Sequence, residues 1–149
     1  MPISSICNRN VITVPFDSSV LQAAQLMREH HVGDVIVVEE RLGVRVPIGI
    51  VTDRDLVMEV MATELNSATL TVGDIMTPEL VFMKESSGIF EAIEFMRAKC
   101  VRRMPVVDDN NALVGILTTD DLLELLAEEL LTLSRLVRDE QNKEIMNRP

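Results

Sequence analysis

The fold is decided by two stretches of sequence, Gly49-Ile50-Val51-Thr52-Asp53-Arg54-Asp55-Leu56 and Gly115-Ile116-Leu117-Thr118-Thr119-Asp120-Asp121-Leu122. In each stretch an apolar run of strand length ends at a threonine, and an aspartate follows three positions later where helical spacing begins. The second stretch repeats the pattern of the first, position by position. The chain therefore contains an internal repeat, and the repeat governs how the rest of the sequence is interpreted.

The repeat extends towards the N-terminus of both stretches. A single offset aligns residues 3–7 with 72–76 and the helical pattern of 20–28 with that of 89–97, apolar residue against apolar residue. The offset becomes shorter by three at the two quoted stretches, so the first copy has three extra residues, which we assign to a loop at 39–46. Neither copy buries enough surface to fold comfortably alone, so we expect the two to pack about a pseudo-two-fold axis.

Each copy changes its hydrophobic period in the same order. In the first copy a β-rich run at 11–14 precedes N-cap candidates at 17–19 and a helical pattern, and two apolar strands and a second helical pattern follow. The pattern predicts an α+β fold of two tandem β-α-β-β-α repeats plus a C-terminal helix. The predicted boundaries are 1–68 for the first repeat, 69–127 for the second and 128–149 for the helical extension.

Composition excludes several classes of protein. The 149 residues carry 14 basic and 24 acidic side chains, a net charge of −10, and they include four Phe but no Trp or Tyr. This balance argues against a nucleic-acid binder, which needs cations for phosphates and aromatic rings for bases. No apolar run is long enough to cross a bilayer and no signal peptide is recognisable, so we expect a cytoplasmic protein without a membrane contact. Cys7 and Cys100 are interpreted as small buried thiols.

The C-terminal region has the spacing of a two-stranded coil. Its stripe consists of Leu123, Leu126, Leu130, Leu133 and Val137. Two interpretations stay open: an amphipathic helix that covers its own core, and a contact between two copies of the chain. Residues 139–144 carry no apolar stripe, so we expect this end to project into solvent or to fray.

Two interpretations also apply to the Thr-x-x-Asp segments. The start of a helix offers unpaired N–H groups that suit a phosphate, and a carboxylate one turn later can accept hydrogen bonds from ribose hydroxyls. The same residues can instead form a capping box, in which the threonine and the aspartate satisfy the first helix donors. Duplication does not decide between a site and a cap, because either can be duplicated.

Clustered cations distinguish the second copy from the first. Lys99 suits the C-terminal end of a helix, whereas Arg102 and Arg103 come after it, at the start of a strand, where they could bind a phosphate. The first copy has Gly33 and Asp34 at the equivalent positions. We therefore expect two unequal clefts, with Arg54, or Arg41 and Arg45, as candidate compensating cations in the first copy.

Three motifs together resemble a tandem pair of CBS domains, the cystathionine-β-synthase-type regulatory module. They are the paired Gly-Ile-x-Thr-x-x-Asp segments, Val72-Gly73-Asp74-Ile75-Met76-Thr77-Pro78, and Arg103-Met104-Pro105-Val106-Val107-Asp108. The resemblance covers residues 3 to about 125. It implies two clefts between the repeats and reversible binding of an adenosine compound such as AMP, ADP, ATP, NAD or S-adenosylmethionine.

The resemblance also implies roles for individual residues. Asp55 and Asp121 would bind ribose, Thr52 and Thr118 would lie near the phosphates, and Arg102 and Arg103 would be phosphate partners in a cleft that the sequence does not identify. The adenine ring would lie among strand residues, which are Thr13, Val14, Val35 and Ile36 in one copy and Phe82, Met83, Met104 and Pro105 in the other. Arg54 and Asp120 complete the ligand-binding candidates.

An enzyme is a weaker interpretation of the same residues. Val51-Thr52-Asp53-Arg54-Asp55 resembles the nucleophile loop of haloacid dehalogenase-type phosphatases, but Thr119 replaces Asp53 in the second copy and no further motif completes a magnesium site. We predict a non-enzymatic sensor with no catalytic residue, metal ligand or obligatory cofactor. It would act as a homodimer and signal in trans to a protein partner. The alternative is a ligand-free interaction or dimerisation protein that acts through its leucine-rich C-terminal helix.

Overall fold

The first repeat forms a three-stranded sheet in the computed structural model, which describes residues 1–148. A 3₁₀ turn at Ile3–Ser5 precedes the repeat. Its elements are β1 (Thr13–Pro15), α1 (Val20–His30), β2 (Asp34–Arg41), β3 (Val44–Thr52) and α2 (Asp53–Asp55), which continues as a π-helical segment, Leu56–Met61. Strand β2 is central, parallel to β1 and antiparallel to β3.

The second repeat has the same topology. Its elements are α3 (Val72–Ile75), β4 (Met83–Lys84), α4 (Ile89–Lys99), β5 (Arg103–Val107), β6 (Leu113–Thr118) and α5 (Thr119–Asn147). Strand β5 is central, parallel to β4 and antiparallel to β6. The predicted α+β class and the two β-α-β-β-α repeats are therefore confirmed.

Details of the backbone recur at equivalent positions. Helix α1 ends at His31 (φ 53°), and α4 ends at the equivalent residue, Cys100 (φ 55°), in the same left-handed conformation. The register shifts between Val37 and Val38 in the first sheet and between Val106 and Val107 in the second. The internal symmetry thus extends to single residues.

The three extra residues of the first copy lengthen a hairpin. Strands β2 and β3 have eight and nine residues, whereas β5 and β6 have five and six. Two residues of positive φ, Leu42 (51°) and Gly43 (80°), form the turn, which is the conformation that a tight two-residue hairpin requires. The loop predicted at 39–46 is therefore wrong, because Glu39 pairs with Val46 and Arg41 pairs with Val44 in the sheet.

The two repeats exchange their leading segments. Ile3 and Cys7 belong to the core of the second repeat, and Val72 of α3 belongs to the core of the first. The Ile3 N–H donates to the Ser87 carbonyl (2.8 Å), and at the equivalent position the Val72 N–H donates to the Ser18 carbonyl (2.9 Å). A third apolar cluster joins the two sheets through Ile36, Val38 and Ile116. The predicted boundaries at residues 68 and 127 divide the sequence. In the folded protein, each repeat completes its core with a segment that belongs to the other repeat in sequence.

A glycine in each repeat admits the exchanged segment. A Cβ at Gly115 would lie 2.6 Å from the Asn8 carbonyl oxygen and 3.0 Å from the Cys7 sulfur. A Cβ at Gly49 would lie 2.6 Å from the Met76 sulfur. Both sheets therefore need a residue without a side chain where the segment from the other repeat crosses.

Helix α5 leaves the body of the protein soon after it begins. Leu122 is buried, Leu125 packs partly on the second core, and residues 126–148 are exposed. The interpretation of this helix as a cover for its own core is therefore wrong. Residues 139–144 project into solvent as expected, but they are helical and not frayed.

The two cysteines differ in exposure. Cys7 is buried as predicted, and burial raises the pKa of its thiol. The prediction is wrong for Cys100, which is exposed because it ends α4 in the left-handed conformation. Within residues 1–148, no helix combines the length and apolar composition that a bilayer crossing requires.

Candidate ligand-binding clefts

A cleft of about 290 Å³ lies between the two repeats. Its walls combine the start of α5 with the chain that enters β1 and β2. The lining residues are Asn8, Asn10, Val11, Ile12, Val32, Gly33, Asp34, Ile116, Thr118, Asp120 and Asp121. The structure thus brings Thr118, Asp120 and Asp121 together, as the sequence predicts, in a cavity at the small end of the range for ligand pockets.

Thr118 and Asp121 form a capping box within this cleft. Asp121 Oδ2 accepts hydrogen bonds from the Thr118 N–H (2.9 Å) and the Thr118 hydroxyl (2.8 Å). The Asp121 N–H donates to Thr118 Oγ1 (3.2 Å). Because these bonds use one oxygen of the half-buried carboxylate, the cap and a ribose contact through Oδ1 are compatible.

Thr52 and Asp55 repeat this geometry at the start of α2. The Thr52 N–H donates to Asp55 Oδ2 (2.8 Å), and the Asp55 N–H donates to Thr52 Oγ1 (3.2 Å). The capping-box interpretation is therefore right for both copies, and ribose binding by the two aspartates stays a prediction.

The internal symmetry indicates the composition of the second cleft. Gly33 and Asp34 line the observed cleft, and Arg102 and Arg103 occupy the equivalent positions. We call the observed cleft, with Asp34, Asp120 and Asp121, the acidic cleft. By symmetry, the positions equivalent to the polar and charged part of this lining carry Arg102, Arg103, Thr52, Arg54, Asp55 and Glu79, and we call the site expected there the basic cleft.

An ion pair connects the two equivalent positions across the pseudo-two-fold axis. Arg103 Nη1 lies 2.5 Å from Asp34 Oδ2, and the side chains are 34% and 16% exposed. The sequence predicts that Arg103 binds phosphate, but here its charge is neutralised by that of Asp34. Gly33 leaves room for the guanidinium, since a Cβ there would lie 3.4 Å from Nη1.

The other candidate arginines differ in whether their side chains are free to bind a phosphate. Arg102 is exposed, and its carbonyl accepts bonds from the Thr119 N–H (2.8 Å) and hydroxyl (3.1 Å), which hold its backbone beside β6. Arg54 is exposed in the first turn of α2. Arg41 pairs with Glu39 (2.7 Å), and Arg45 donates to Thr13 Oγ1 (3.1 Å). Arg102 and Arg54 are therefore the better phosphate candidates.

Most of the predicted adenine residues lie inside the fold. Val14 and Val35 belong to the first core, Met83 and Met104 belong to the second, and Ile36 lies between the sheets. Pro105 is fully buried, Thr13 is held by Arg45, and Phe82 lines a separate cavity of about 390 Å³. The side chains of the central strand residues are used by the cores, so they do not line the acidic cleft.

Sequence reasoning missed the apolar wall of the acidic cleft. This wall consists of Val11, Ile12 and Val32, one to three positions before those that we predicted. The available signal was the position of these residues at the entry to β1 and β2. Apolar residues there extend past the part of each strand that the core covers.

Comparison with known proteins decides the family. The model of the CBS domain matches residues 3–62 and 72–128. The chain belongs to the CBS domain family. The two matched segments are the two repeats described above, so this CBS pair contains nearly all of the chain before the exposed part of α5.

Similar proteins include both uncharacterized and named members. An uncharacterized protein of Methanopyrus kandleri, MK0525, is 37% identical over 123 residues, which are 83% of this chain and 61% of that protein. This chain therefore spans less than two thirds of MK0525. Hypoxic response protein 1 of Mycobacterium tuberculosis is 33% identical over 125 residues, 83% of either chain.

Among solved structures, the CBS domain pair of protein MJ0100 has a TM-score of 0.75 to this chain at 24% identity, covering 87% of this chain and 98% of the other. That protein was crystallised with 5′-methylthioadenosine and S-adenosyl-L-methionine. At this identity the similarity establishes the fold.

Proposed function

We propose that this CBS pair is a regulatory module that binds an adenosine compound between its repeats and signals its occupancy to a protein partner in trans. One observation carries the proposal: the acidic cleft joins the Thr118–Asp121 helix start of one repeat to an apolar wall from the other. An apolar wall suits adenine, and a half-buried carboxylate suits the ribose hydroxyls. The ligands bound by MJ0100 support an adenosine compound here.

The charges of the two clefts favour different ligands. The basic cleft carries Arg102 and Arg54, which suit the phosphates of AMP, ADP, ATP or NAD. The acidic cleft carries Asp120 and Asp121 beside the Asp34 ion pair, so it favours an adenosine compound that is uncharged or positive, such as S-adenosylmethionine. The proposal assigns one class of ligand to each cleft.

Signalling requires a ligand that binds two arrangements of the repeats unequally. The proposed cycle is binding and release without a chemical step, so it uses no catalytic residue and no obligatory cofactor. A homodimer would enlarge the surface that changes when a ligand binds. The partner would recognise that surface.

Thermal unfolding with AMP, ATP, NAD and S-adenosylmethionine, each added separately, tests the proposal. A ligand at 100 times its dissociation constant adds about 2.7 kcal/mol to the free energy of unfolding. We expect Asp55→Ala to abolish the stabilisation by AMP and Asp121→Ala to abolish that by S-adenosylmethionine.

Asp74→Ala is the matched control for these variants. Asp74 forms a further capping box, in which its carboxylate accepts a hydrogen bond from the Thr71 N–H (2.9 Å), but it does not line the acidic cleft. This variant loses a cap and should retain both ligand effects. Two identical AMP sites in titration calorimetry would contradict the assignment of the clefts.

The second candidate function is a ligand-free interaction protein that acts through α5. The exposed leucines of that helix favour it, since a surface of this kind normally has a partner. The same unfolding experiment separates the two functions. If none of the four compounds raises the unfolding temperature, the interaction protein is the better description.

A further inference from the structure

The exposed part of α5 is too long to be explained as part of the CBS pair. Residues 126–147 form the outer part of the helix, and all of them are exposed. At 1.5 Å per residue this part extends about 30 Å from the body. Helices in water gain most of their stability from packing one apolar face, and this part packs on neither repeat.

The exposed part has one continuous apolar face. We call the four residues Leu126, Leu130, Leu133 and Val137 the α5 seam; they are 39%, 69%, 60% and 55% exposed. Their spacing of four, three and four positions places them in one line, as in the contact line of a two-stranded coil. Such a face is covered best by a second helix of the same kind.

The charges along α5 indicate which helix covers this face and in which direction that helix runs. Its first half, 119–134, contains no lysine or arginine but five acidic residues, Asp120, Asp121, Glu124, Glu128 and Glu129. Its second half, 135–147, is neutral overall, because three acidic residues there balance three cations, Arg135, Arg138 and Lys143. A parallel pair would place the acidic half beside an identical acidic half. An antiparallel pair places it beside the neutral half, which contains every cation of the helix.

We propose that two copies of the chain associate through an antiparallel pair of α5 helices. In the register that faces apolar residues with each other, Leu126 lies opposite Val137 of the second copy, and Leu130 lies opposite Leu133. Residues 120–129 then run beside residues 134–143. Leu122 stays in the core of its own repeat, and none of the four residues of the α5 seam lines the acidic cleft. The inference rests on the homodimer proposed above and adds its surface and its direction.

The mass of the full chain in solution tests the surface. Light scattering should give about twice the chain mass of 16.7 kDa for the wild type and a single chain mass for Leu130→Glu combined with Leu133→Glu. Leu131→Glu is the matched control, because Leu131 is 52% exposed on the same helix but off the seam. It should remain dimeric. Circular dichroism checks that the CBS pair of each variant is folded.

Cysteine pairing tests the direction. In a Cys100→Ser background, Leu126→Cys and Val137→Cys proteins are mixed and oxidised with diamide. The antiparallel pair predicts the mixed disulfide between positions 126 and 137 in excess over the two self-disulfides. Self-disulfides in excess would show a parallel pair and overturn the proposal.

Two other results would overturn the surface. One is a wild-type chain that is monomeric at about 100 µM. At that concentration a pair of chains with a dissociation constant of about 1 µM would be almost entirely dimeric. The other is a Leu130→Glu/Leu133→Glu variant that remains dimeric. A monomeric wild type would leave the seam to a different protein. The ligand proposal is tested separately, because stabilisation of the monomeric variant by an adenosine compound depends on the clefts and not on the α5 seam.

Discussion

In the first repeat position 34 is an aspartate, and in the second repeat the equivalent position 103 is an arginine. The second repeat also has Arg102 where the first has the uncharged Gly33, and the contrast is reversed at Arg54 of the first repeat and Asp120 of the second. The backbone hydrogen bonds around these positions match, since Asp53 N–H donates to Gly33 O (2.9 Å) and Thr119 N–H donates to Arg102 O (2.8 Å). One scaffold therefore carries opposite charges at equivalent positions, and the fold itself does not determine the ligand.

A second difference concerns the strand that enters each cleft. The Ile36 N–H donates to the Ile12 carbonyl (2.9 Å), but the equivalent residue in the second repeat is Pro105, which has no N–H. This explains why β4 has two residues whereas β1 has three. The entry to the basic cleft thus has one fewer constraint than the entry to the acidic cleft.

The largest expected effect tests whether the two glycines are equivalent. Gly115→Ala should lower the free energy of unfolding by about 3 kcal/mol, because its Cβ would meet the backbone oxygen of Asn8. Gly49→Ala should cost about 1 kcal/mol, because the flexible Met76 side chain can move. Urea unfolding measures both values. Equal losses would show that the exchanged segments are held equally tightly.

The ion pair between the equivalent positions has the next largest effect. Arg103→Ala should cost about 2 kcal/mol, because it leaves the more buried partner, Asp34, without a counter-ion. Asp34→Ala should cost about 1 kcal/mol, because Arg103 is more exposed and can be hydrated. The double variant should lose less than the sum of both in a double-mutant cycle. Additive losses would mean that the contact is energetically neutral.

Substitutions at the C-terminal ends of α1 and α4 should change the free energy of unfolding by a smaller amount. The change should be the same in both repeats. Cys100→Gly and His31→Gly should each stabilise the protein by about 1 kcal/mol, because glycine adopts the left-handed conformation without a steric penalty. Lys99→Gly is the control. It lies one position earlier in helical conformation and should be destabilising by about 1 kcal/mol. Thermal unfolding distinguishes the signs.

The smallest expected effect is a pH dependence in α3. The hydrogen bond from the Thr71 backbone lowers the pKa of Asp74 below its ordinary value of 3.8. The ionised Asp74 side chain therefore adds to the free energy of unfolding above pH 3.8. This contribution is lost as the pH falls through the lower pKa that Asp74 has in the folded state. Asp74→Asn should flatten the decrease in unfolding temperature below pH 3.8. The equivalent turn at Ile3–Ser5 has a serine at this position, so Ser5→Ala should leave the pH profile unchanged.

The order of strands and helices was predictable because hydrophobic period and repeat offset are local properties of the sequence. The capping boxes at Thr52 and Thr118 were predictable for the same reason. The pairing of Arg103 with Asp34 was not, since the two residues are far apart in sequence and meet only when the repeats pack. The course of α5 beyond Leu125 was not predictable either, because a stripe of leucines has the same spacing whether it covers a core or projects from it.

The exchange of leading segments has a consequence for protein synthesis. Residues 3–8 emerge from the ribosome before either repeat is complete, but their hydrogen-bond partners at Ser87 and Ile116 are translated only after the whole of the first repeat. At about 5–20 residues per second, this segment waits several seconds or longer for its binding site. Ile3 and Cys7 stay exposed during this interval. Residues 3–8 are thus among the last parts of the two repeats to fold, and a chaperone or ribosome surface that shields them would raise the yield of native protein.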